Sequence, residues 1–344
     1  MNADAYNGKR LLVGIACNIK TDHADEEQAE FDEPETIAAI SAALEEAGCD
    51  TVTLEASGGF TRKLEEAAPD IVFNIAEGKS GRCREAQIPA MLEYYGVPFT
   101  GSDAAALSVG LDKALTKTIA RGLGIATPGY CVISKETPDI PPELAYPVLV
   151  KPNAEGSSKG VSDKCVAESA EELRALAGRL SGGYADGLLA ESYVDGREFT
   201  VGIIGNGPGI RVFEPMEIIF QKMNGPYKIY GYEIKKNFRE HVRYECPADV
   251  PEEWAAQMKR DAKAVYSALG CRDLARVDFR LSAGGTAYFI EINPLPGLCP
   301  GYSDYPMLAG FHGITYNSLI RAILRRALDR YGMKAVYING RMED

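Results

Sequence analysis

An arginine, two carboxylates and an amide recur at strand spacing late in the chain. Arg276-Val277-Asp278-Phe279 is followed, across the turn Ala283-Gly284-Gly285, by Glu291-Ile292-Asn293-Pro294. Two strands joined by so tight a turn pair antiparallel, and side chains alternate between faces along each. Asp278 and Glu291 can therefore share one side, with Asn293 two residues after Glu291 and Arg276 two before Asp278. Two carboxylates and an amide oxygen form a hard-oxygen site suited to magnesium, which takes few carboxylates together with substrate phosphates. A guanidinium beside bound phosphates offsets the negative charge that develops during phosphoryl transfer. The competing reading is a salt-bridge cluster on a surface hairpin.

Three more segments carry weaker signals. In Lys151-Pro152-Asn153-Ala154-Glu155-Gly156-Ser157-Ser158-Lys159-Gly160, a lysine at a strand end precedes a loop whose glycines let the backbone approach a ligand. Backbone N–H groups and hydroxyls in such a loop can cradle phosphates. No Gly-Lys-Ser/Thr follows at Walker spacing, so it is not a Walker A loop, and an ordinary connection has the same composition. Asp112-Lys113 opens a helix with Lys117 one turn on; alone, that pattern is a solvated helix face. In the run from Glu191 to Val201, a strand, a turn and a second strand set Glu191 and Glu198 close together. Carboxylates there suit ribose hydroxyls and the intervening backbone suits an adenine edge, with plain surface glutamates as the alternative.

The elements that must hold these residues alternate. Leu11–Ala16, Thr51–Leu54 and Ile71–Ile75 read as short buried strands, separated by a helix over Pro34–Glu46 and followed by another over Glu85–Tyr95. That alternation implies parallel βαβ units in an open sheet, whose ligands sit beyond the carboxyl ends of the strands. Further helices are expected over Lys113–Leu123, Ala170–Leu180, Pro251–Leu269 and Thr315–Tyr331, with strands at Val148–Lys151, Leu188–Glu191, Glu198–Ile204, Ile210–Ile219, Leu274–Leu281 and Ala287–Asn293. The expected units are 1–102, 103–205 and 206–344.

A net charge of −12 argues against non-specific binding to nucleic acid or an anionic membrane. The eight cysteines include no CxxC pair, which fits a reducing compartment better than a zinc site or a disulfide framework. The apolar run Leu11–Ala16 is too short for a membrane span or a signal core, so the cytoplasm is the expected location.

In order and spacing, the four segments resemble the D-alanine–D-alanine ligase branch of the ATP-grasp superfamily, over roughly Ile71 to Leu328. The resemblance implies an α/β fold, α+β in its C-terminal part: an ATP-grasp fold behind an N-terminal open parallel α/β domain. It implies ATP caught between the central and C-terminal units, magnesium (or manganese) beside it, small amino acids as substrates, and a cytoplasmic homodimer serving peptidoglycan biosynthesis. Lys113 and Lys151 then match phosphate-contacting lysines, and Gly156, Ser157 and Ser158 fall in the glycine-rich lid. Glu191, Val194 and Glu198 match the adenine and ribose hinge. Asp278, Glu291 and Asn293 match magnesium ligands. Arg276 stands near the transferred phosphate, Lys235 on a mobile loop spanning Gln221–Tyr244, and Gly297 where a backbone N–H steadies a tetrahedral oxygen; with Ser157 these form the implied catalytic set. The implied reaction activates a carboxylate as an acyl phosphate, which an amine then displaces. D-Ala–D-Ala is the best named product and a different dipeptide or amino-acid amide its close competitor; a phosphotransferase and a non-catalytic nucleotide sensor are the competing classes, and the retained Arg276, Asp278, Glu291 and Asn293 argue against the sensor.

The departures lie on the amino-acid side. The family's Gly-Gly-x-Ser-x-Glu after the first strand is missing; Cys17-Asn18-Ile19-Lys20 and an acidic stretch stand instead, with Glu33 or Glu35 as possible substitutes. Glu77 replaces a histidine. Arg82 and Arg84 bring positive charge where the first substrate should lie, as for a carboxylate-rich or larger acyl substrate, unless they pair with Glu77 or Glu85. Ser192 stands where a lysine is common and Lys236 where a tyrosine is usual. Ser303 is matched to the serine that binds the second substrate's carboxylate, in a segment one residue longer than usual. The expected substrate set is therefore Glu77, Arg82, Arg84 and Ser303.

Overall fold

The computed structural model describes residues 10–22, 28–133, 144–156, 163–180, 182–184, 186–222 and 225–333. Its first unit is built from β1 (Leu12–Cys17), α1 (Pro34–Glu46), β2 (Asp50–Glu55), α2 (Phe60–Ala67), β3 (Ile71–Asn74) and α3 (Gln87–Tyr95). The three strands form a parallel sheet in the order β2-β1-β3. Pro34 opens α1 at a position where its missing N–H costs nothing. The carboxyl ends of β1 and β3 face the cavity described below, as the open-sheet rule requires.

Two helices follow, α4 (Ala104–Leu111) and α5 (Lys113–Gly122), hinged at Asp112. The Asp112 carboxylate accepts from Leu115 N and so caps α5. That cap fixes Lys113 as the first helical residue, aimed out of the helix start. The second sheet comprises β4 (Tyr130–Ile133), β5 (Val148–Pro152), β6 (Val166–Ala167) and β7 (Leu188–Ser192), ordered β4-β7-β5-β6, with α6 (Ala170–Leu180) packed on it.

The third sheet holds β8 (Gly196–Ile204), β9 (Arg211–Val212), β10 (Met216–Phe220), β11 (Val242–Glu245), β12 (Leu274–Ser282) and β13 (Ala287–Asn293). Its order is β11-β10-β8-β12-β13, with β9 paired to β8. Between β10 and β11 lie two short helices, α7 (Tyr232–Lys236) and α8 (Phe238–His241). Helix α9 (Glu252–Ala268) covers this sheet through Met258, Ala262 and Val265. The chain closes with α10 (Asp304–Phe311) and α11 (Tyr316–Arg330).

The structure differs from the sequence expectation in several places, and strands β4, β6 and β11 and helices α7, α8 and α10 stand where no element was expected. Strand β8, expected to close the central unit, opens the third sheet, because its full length pairs with β12. The strand expected over Ile210–Ile219 is broken into β9 and β10 around Pro215, which has no N–H for a ladder. Helices α2 and α4 were not expected at all.

The core of the first unit does not stop at its sheet. Residues of β1 and α1 share one apolar cluster with α10 and α11, including Ile15, Ile40, Leu308, Ile320 and Leu324. The same junction is tied by Asp273, which is fully buried with φ 64°. Its carboxylate accepts from Gly101 N at 2.8 Å, Asn206 Nδ2 at 2.6 Å and Arg330 Nη2 at 2.8 Å.

Candidate functional site

Strands β12 and β13 place Arg276 opposite Asn293 and Asp278 opposite Glu291. Both pairs therefore lie on one face, as strand alternation predicts. The ladder slips by a bulge just after Asp278. Arg276 Nη2 lies 2.9 Å from Asp278 Oδ2, and its Nη1 lies 3.6 Å from Asp304 Oδ2 at the start of α10. Asn293 Oδ1 accepts from Leu295 N, which fixes the amide at the strand end.

The lysines converge on the same hairpin. Lys113 Nζ is 3.4 Å from Glu291 Oε2 and donates to Glu155 O, tying the start of α5 to the glycine-rich loop. Lys151, near the end of β5, lies 2.6 Å from Glu191 Oε1 on β7. Lys117 lies 2.8 Å from Glu191 Oε2 and donates to Thr127 Oγ1. Sequence spacing read Lys117 as a solvated helix face; it is fully buried. The available signal was its place one turn after Lys113, on the same side of α5.

Burial and pairing set the charges. Burial would raise both Glu191 and Glu291, but the cations win and hold each at about 2: Lys117 and Lys151 for the first, Lys113, Lys151 and Arg276 for the second. Asp278 is pushed up by burial, against the pull of Arg276. Burial lowers Lys117 to about 8 despite Glu191.

Two cavities meet at this cluster. The smaller, about 120 Å³, lies between the second and third sheets, with Leu149, Val194, Ile229, Phe279 and Ile290 as its apolar walls and Lys151, Glu191 and Glu198 as its polar ones. Glu198 is held by Arg280, which lies 2.8 Å away and also donates to Val194 O. Arg280 escaped the sequence reading, although it lies two residues after Asp278 and so shares its face. The larger cavity, about 490 Å³, reaches from the hairpin to the first unit. Lys113, Gly156, Glu198, Tyr230, Asp278 and Glu291 border both.

Arg276, Asn293, Lys235, Gly297, Ser303 and Glu77 line the larger cavity. Gly297 and Ser303 touch: a Cβ on Gly297 would sit 2.9 Å from Ser303 Oγ, and that oxygen accepts from Cys299 N. Ser157 and Ser158 lie outside the described residues. Arg82 and Arg84 are the correction. Neither lines the cavity, and neither pairs with Glu77 or Glu85. Arg82 binds the α5 cap Asp112 at 2.9 Å, half exposed. Arg84 binds Glu30 at 2.6 Å and donates to Ala154 O, pinning the glycine-rich loop to the first unit. Of the two proposed substitutes for the missing glutamate, Glu33 lines the cavity and lies 3.4 Å from Lys20, whereas Glu35 does not line it.

The loop carrying Glu77 is anchored at Gly78. Gly78 N donates to Asn18 Oδ1, and Asn18 Nδ2 donates back to Gly78 O, both at 3.0 Å. With φ +78°, a Cβ on Gly78 would lie 2.0 Å from Arg84 O, a backbone atom with nowhere to go. Gly78→Ala is expected to cost at least ~2 kcal/mol in urea unfolding and to depress activity by moving Glu77. An unchanged urea midpoint would show that the loop relaxes freely.

Among the described residues, no group of three or more histidines, cysteines or carboxylates could hold a metal unaided. A pair of carboxylates beside a phosphate site is the usual magnesium arrangement, so Asp278, Glu291 and Asn293 fit that ion better than a cation needing a full protein cage. No described helix is long and apolar enough to cross a membrane.

Comparison with known proteins identifies the family and the fold. The family model described as D-ala D-ala ligase C-terminus matches residues 119–325. An uncharacterized protein of Sinorhizobium fredii is 35% identical over 300 residues, covering 85% of this chain and 87% of its own. The D-alanine–D-alanine ligase of Cupriavidus metallidurans is 32% identical over 290 residues, covering 84% and 85%. The crystal structure of the Bacillus anthracis D-alanine–D-alanine ligase complexed with ATP superposes with a TM-score of 0.74 at 22% identity, over 94% of this chain and 99% of that one, which shows the ATP-grasp fold. With its site at the junction of two cavities and its sequence shared across most of its length, the chain belongs to the D-alanine–D-alanine ligase family and is an ATP-dependent ligase.

Proposed function

We propose that this ligase joins two amino acids by an amide bond through an acyl phosphate, D-alanine with D-alanine being the reference reaction of its family. The observation that carries the reading is the meeting of Lys113, Arg276, Asp278 and Glu291 where a narrow apolar-walled slot opens into a roomier cavity. The slot suits an adenine: flat apolar walls, with Glu191 and Glu198 at its polar edge. Lys113 and Lys151 suit the phosphates. Asp278, Glu291 and Asn293 would hold magnesium, or manganese with its similar oxygen preference; when bound, the ion neutralises phosphate charge and fixes the phosphate oxygens.

In this reading the acid substrate lies in the larger cavity with one carboxylate oxygen in line with the terminal phosphate. That oxygen forms a bond to phosphorus as the bond to the ADP oxygen breaks. Arg276, held at a fixed angle by Asp278 and Asp304, offsets the charge that builds on the transferred group. The amine of the second substrate then attacks the acyl carbon, the Gly297 N–H and Ser303 steady the oxygens around it, and phosphate leaves as the amide forms. An acyl phosphate hydrolyses, so water must be kept out, and the α7 segment carrying Lys235 supplies the cover. The same reading makes the enzyme a cytoplasmic homodimer, which light scattering on the purified chain tests.

ADP release measured against mixed D- and L-amino acids, with and without magnesium, decides the matter. Amine-dependent, magnesium-dependent ADP formation is the expected result. ADP formation indifferent to amine indicates a phosphotransferase, and tight ATP binding without turnover a sensor. Lys235→Ala is expected to lower kcat by ~10²-fold while changing ATP affinity by only a few fold; equal losses in both would place Lys235 in ground-state binding instead.

A further inference from the structure

The end of the larger cavity that faces the first unit is acidic. Glu77 and Glu85 both line it. Glu85 is only 6% exposed. Among the described residues, neither carboxylate has a hydrogen bond or an ion pair. The cations that could have served them are committed elsewhere: Arg84 to Glu30, Lys113 to Glu291, and Lys20 to Glu33. Lys235 and Lys236 enter the cavity from α7 without pairing to either glutamate. Burial, reinforced by Glu30, pushes Glu85 up to about 8, and burial together with Glu30 and Glu85 drives Glu77 well above the carboxylate range.

A separate observation points the same way. Thr36, in the first turn of α1, lines the same cavity and is 1% exposed, and its hydroxyl has no hydrogen-bond partner. Buried hydroxyls are almost always satisfied, so an orphan facing a cavity marks a place where a ligand supplies the partner. The same cavity thus offers Glu77 and Glu85 without an ion pair among the described residues, Asp32 with the Lys20 charge acting on it, and one unpaired hydroxyl.

An ammonium group brings three donors and one positive charge. A simple amino acid has one such group. It would hold one glutamate in its ionised form and leave the other protonated, with its carboxyl still lacking a partner in the cavity lining. Two ammonium groups match both. Resting on the ligase reading above, we infer that the substrate at this end of the cavity is a diamino acid, its two ammonium groups received by Glu77, Glu85 and the Thr36 hydroxyl. The reading differs in sign from what Arg82 and Arg84 suggested in the sequence, because those side chains are not part of the cavity lining, Arg82 being paired with Asp112 and Arg84 with Glu30, whereas Glu77 and Glu85 line it.

The test is steady-state ADP release by the full-length enzyme with magnesium and ATP. The probes are the D- and L-forms of alanine, lysine, ornithine and 2,4-diaminobutyrate, with norleucine and Nε-acetyl-lysine as uncharged counterparts of lysine. At least one diamino acid is expected to exceed the uncharged counterparts in kcat/KM by about 10- to 100-fold, the usual worth of a charge-assisted hydrogen bond. Glu77→Gln and Glu85→Gln should each shrink that ratio towards unity, and Thr36→Val should shrink it by a few fold. If no diamino acid is preferred while alanine still supports ADP release, the inference falls and the ligase reading stands. If no amino acid supports ADP release, both fall. A full preference ratio surviving in Glu77→Gln and Glu85→Gln, each shown by a cooperative thermal melt to be folded, overturns the assignment of these residues. The wild-type comparison of the three diamino acids with the uncharged counterparts decides the substrate class without any variant.

Discussion

Arg276→Met should lower kcat by about 10³-fold, with ATP affinity changed by less than about threefold. The side chain is buried and gripped from two sides, by Asp278 on its own strand and Asp304 on α10. Its placement is therefore set before any substrate arrives, and on the proposed reading its charge acts on the group in transit more than on the resting nucleotide. Methionine keeps the bulk and removes the charge. It also removes the attraction that opposes the upward shift of Asp278, so Asp278 would more readily take a proton and the magnesium requirement should move to higher concentration. Arg276→Lys keeps the charge but not the planar fork that reaches two carboxylates, and an intermediate loss is expected. ADP-release kinetics beside calorimetric ATP titration separate the two effects. A parallel collapse of turnover and ATP affinity would show that Arg276 serves binding alone.

Asp273→Ala should cost 3–5 kcal/mol of stability, about the worth of breaking a buried ion pair by removing one partner. Three donors from distant parts of the chain meet this carboxylate: Gly101 just beyond the first unit, Asn206 in the β8–β9 turn, and Arg330 at the end of α11. Alanine leaves two N–H groups without this acceptor and leaves the guanidinium with only carbonyl acceptors, among them Phe99 O at 2.8 Å, and no opposing charge from Asp273. Asp273→Asn keeps one acceptor oxygen and tolerates the left-handed backbone, so roughly half the loss is expected. Urea unfolding monitored at constant m is the measurement. A loss below ~1 kcal/mol would mean that Arg330 swings into water and recovers its hydration.

Much of this architecture was legible wherever the information is local. Pro34–Glu46 and Ala170–Leu180 were readable to the residue from apolar periodicity. The β12–β13 hairpin followed from its tight turn, and its register put Asp278 against Glu291 as strand alternation required. Helix α4 was missed because Ala104–Leu111 is apolar all round and shows no stripe, although the Asp103 side chain that caps it by accepting from Ala106 N was a readable start signal. Helix α2 ends on Ala68 in a left-handed conformation, where the usual glycine stop sign is missing. What sequence could not supply was the far partner of each charge. Arg84 meets Glu30, Lys117 meets Glu191 and Arg330 meets Asp273 only after the chain has folded. For that reason Arg82 and Arg84 turn to partners the sequence did not suggest, while Lys113 stands at a helix start and Lys151 near a strand end as read from the sequence: strand ends and helix starts are local facts, and ion-pair choices are not.

The pairing of Lys113 with Glu291, Lys151 with Glu191 and Arg276 with Asp278 has a consequence for how a polyanion is received. On the proposed reading, the site serves as its own counterion atmosphere. An incoming triphosphate trades places with carboxylates already seated there, so few small ions are liberated on association. Long-range attraction is correspondingly muted, and nucleotide capture should vary little with ionic strength. Discrimination falls instead to the short-range exchange of partners, which rewards a ligand whose charges are spaced like those it displaces.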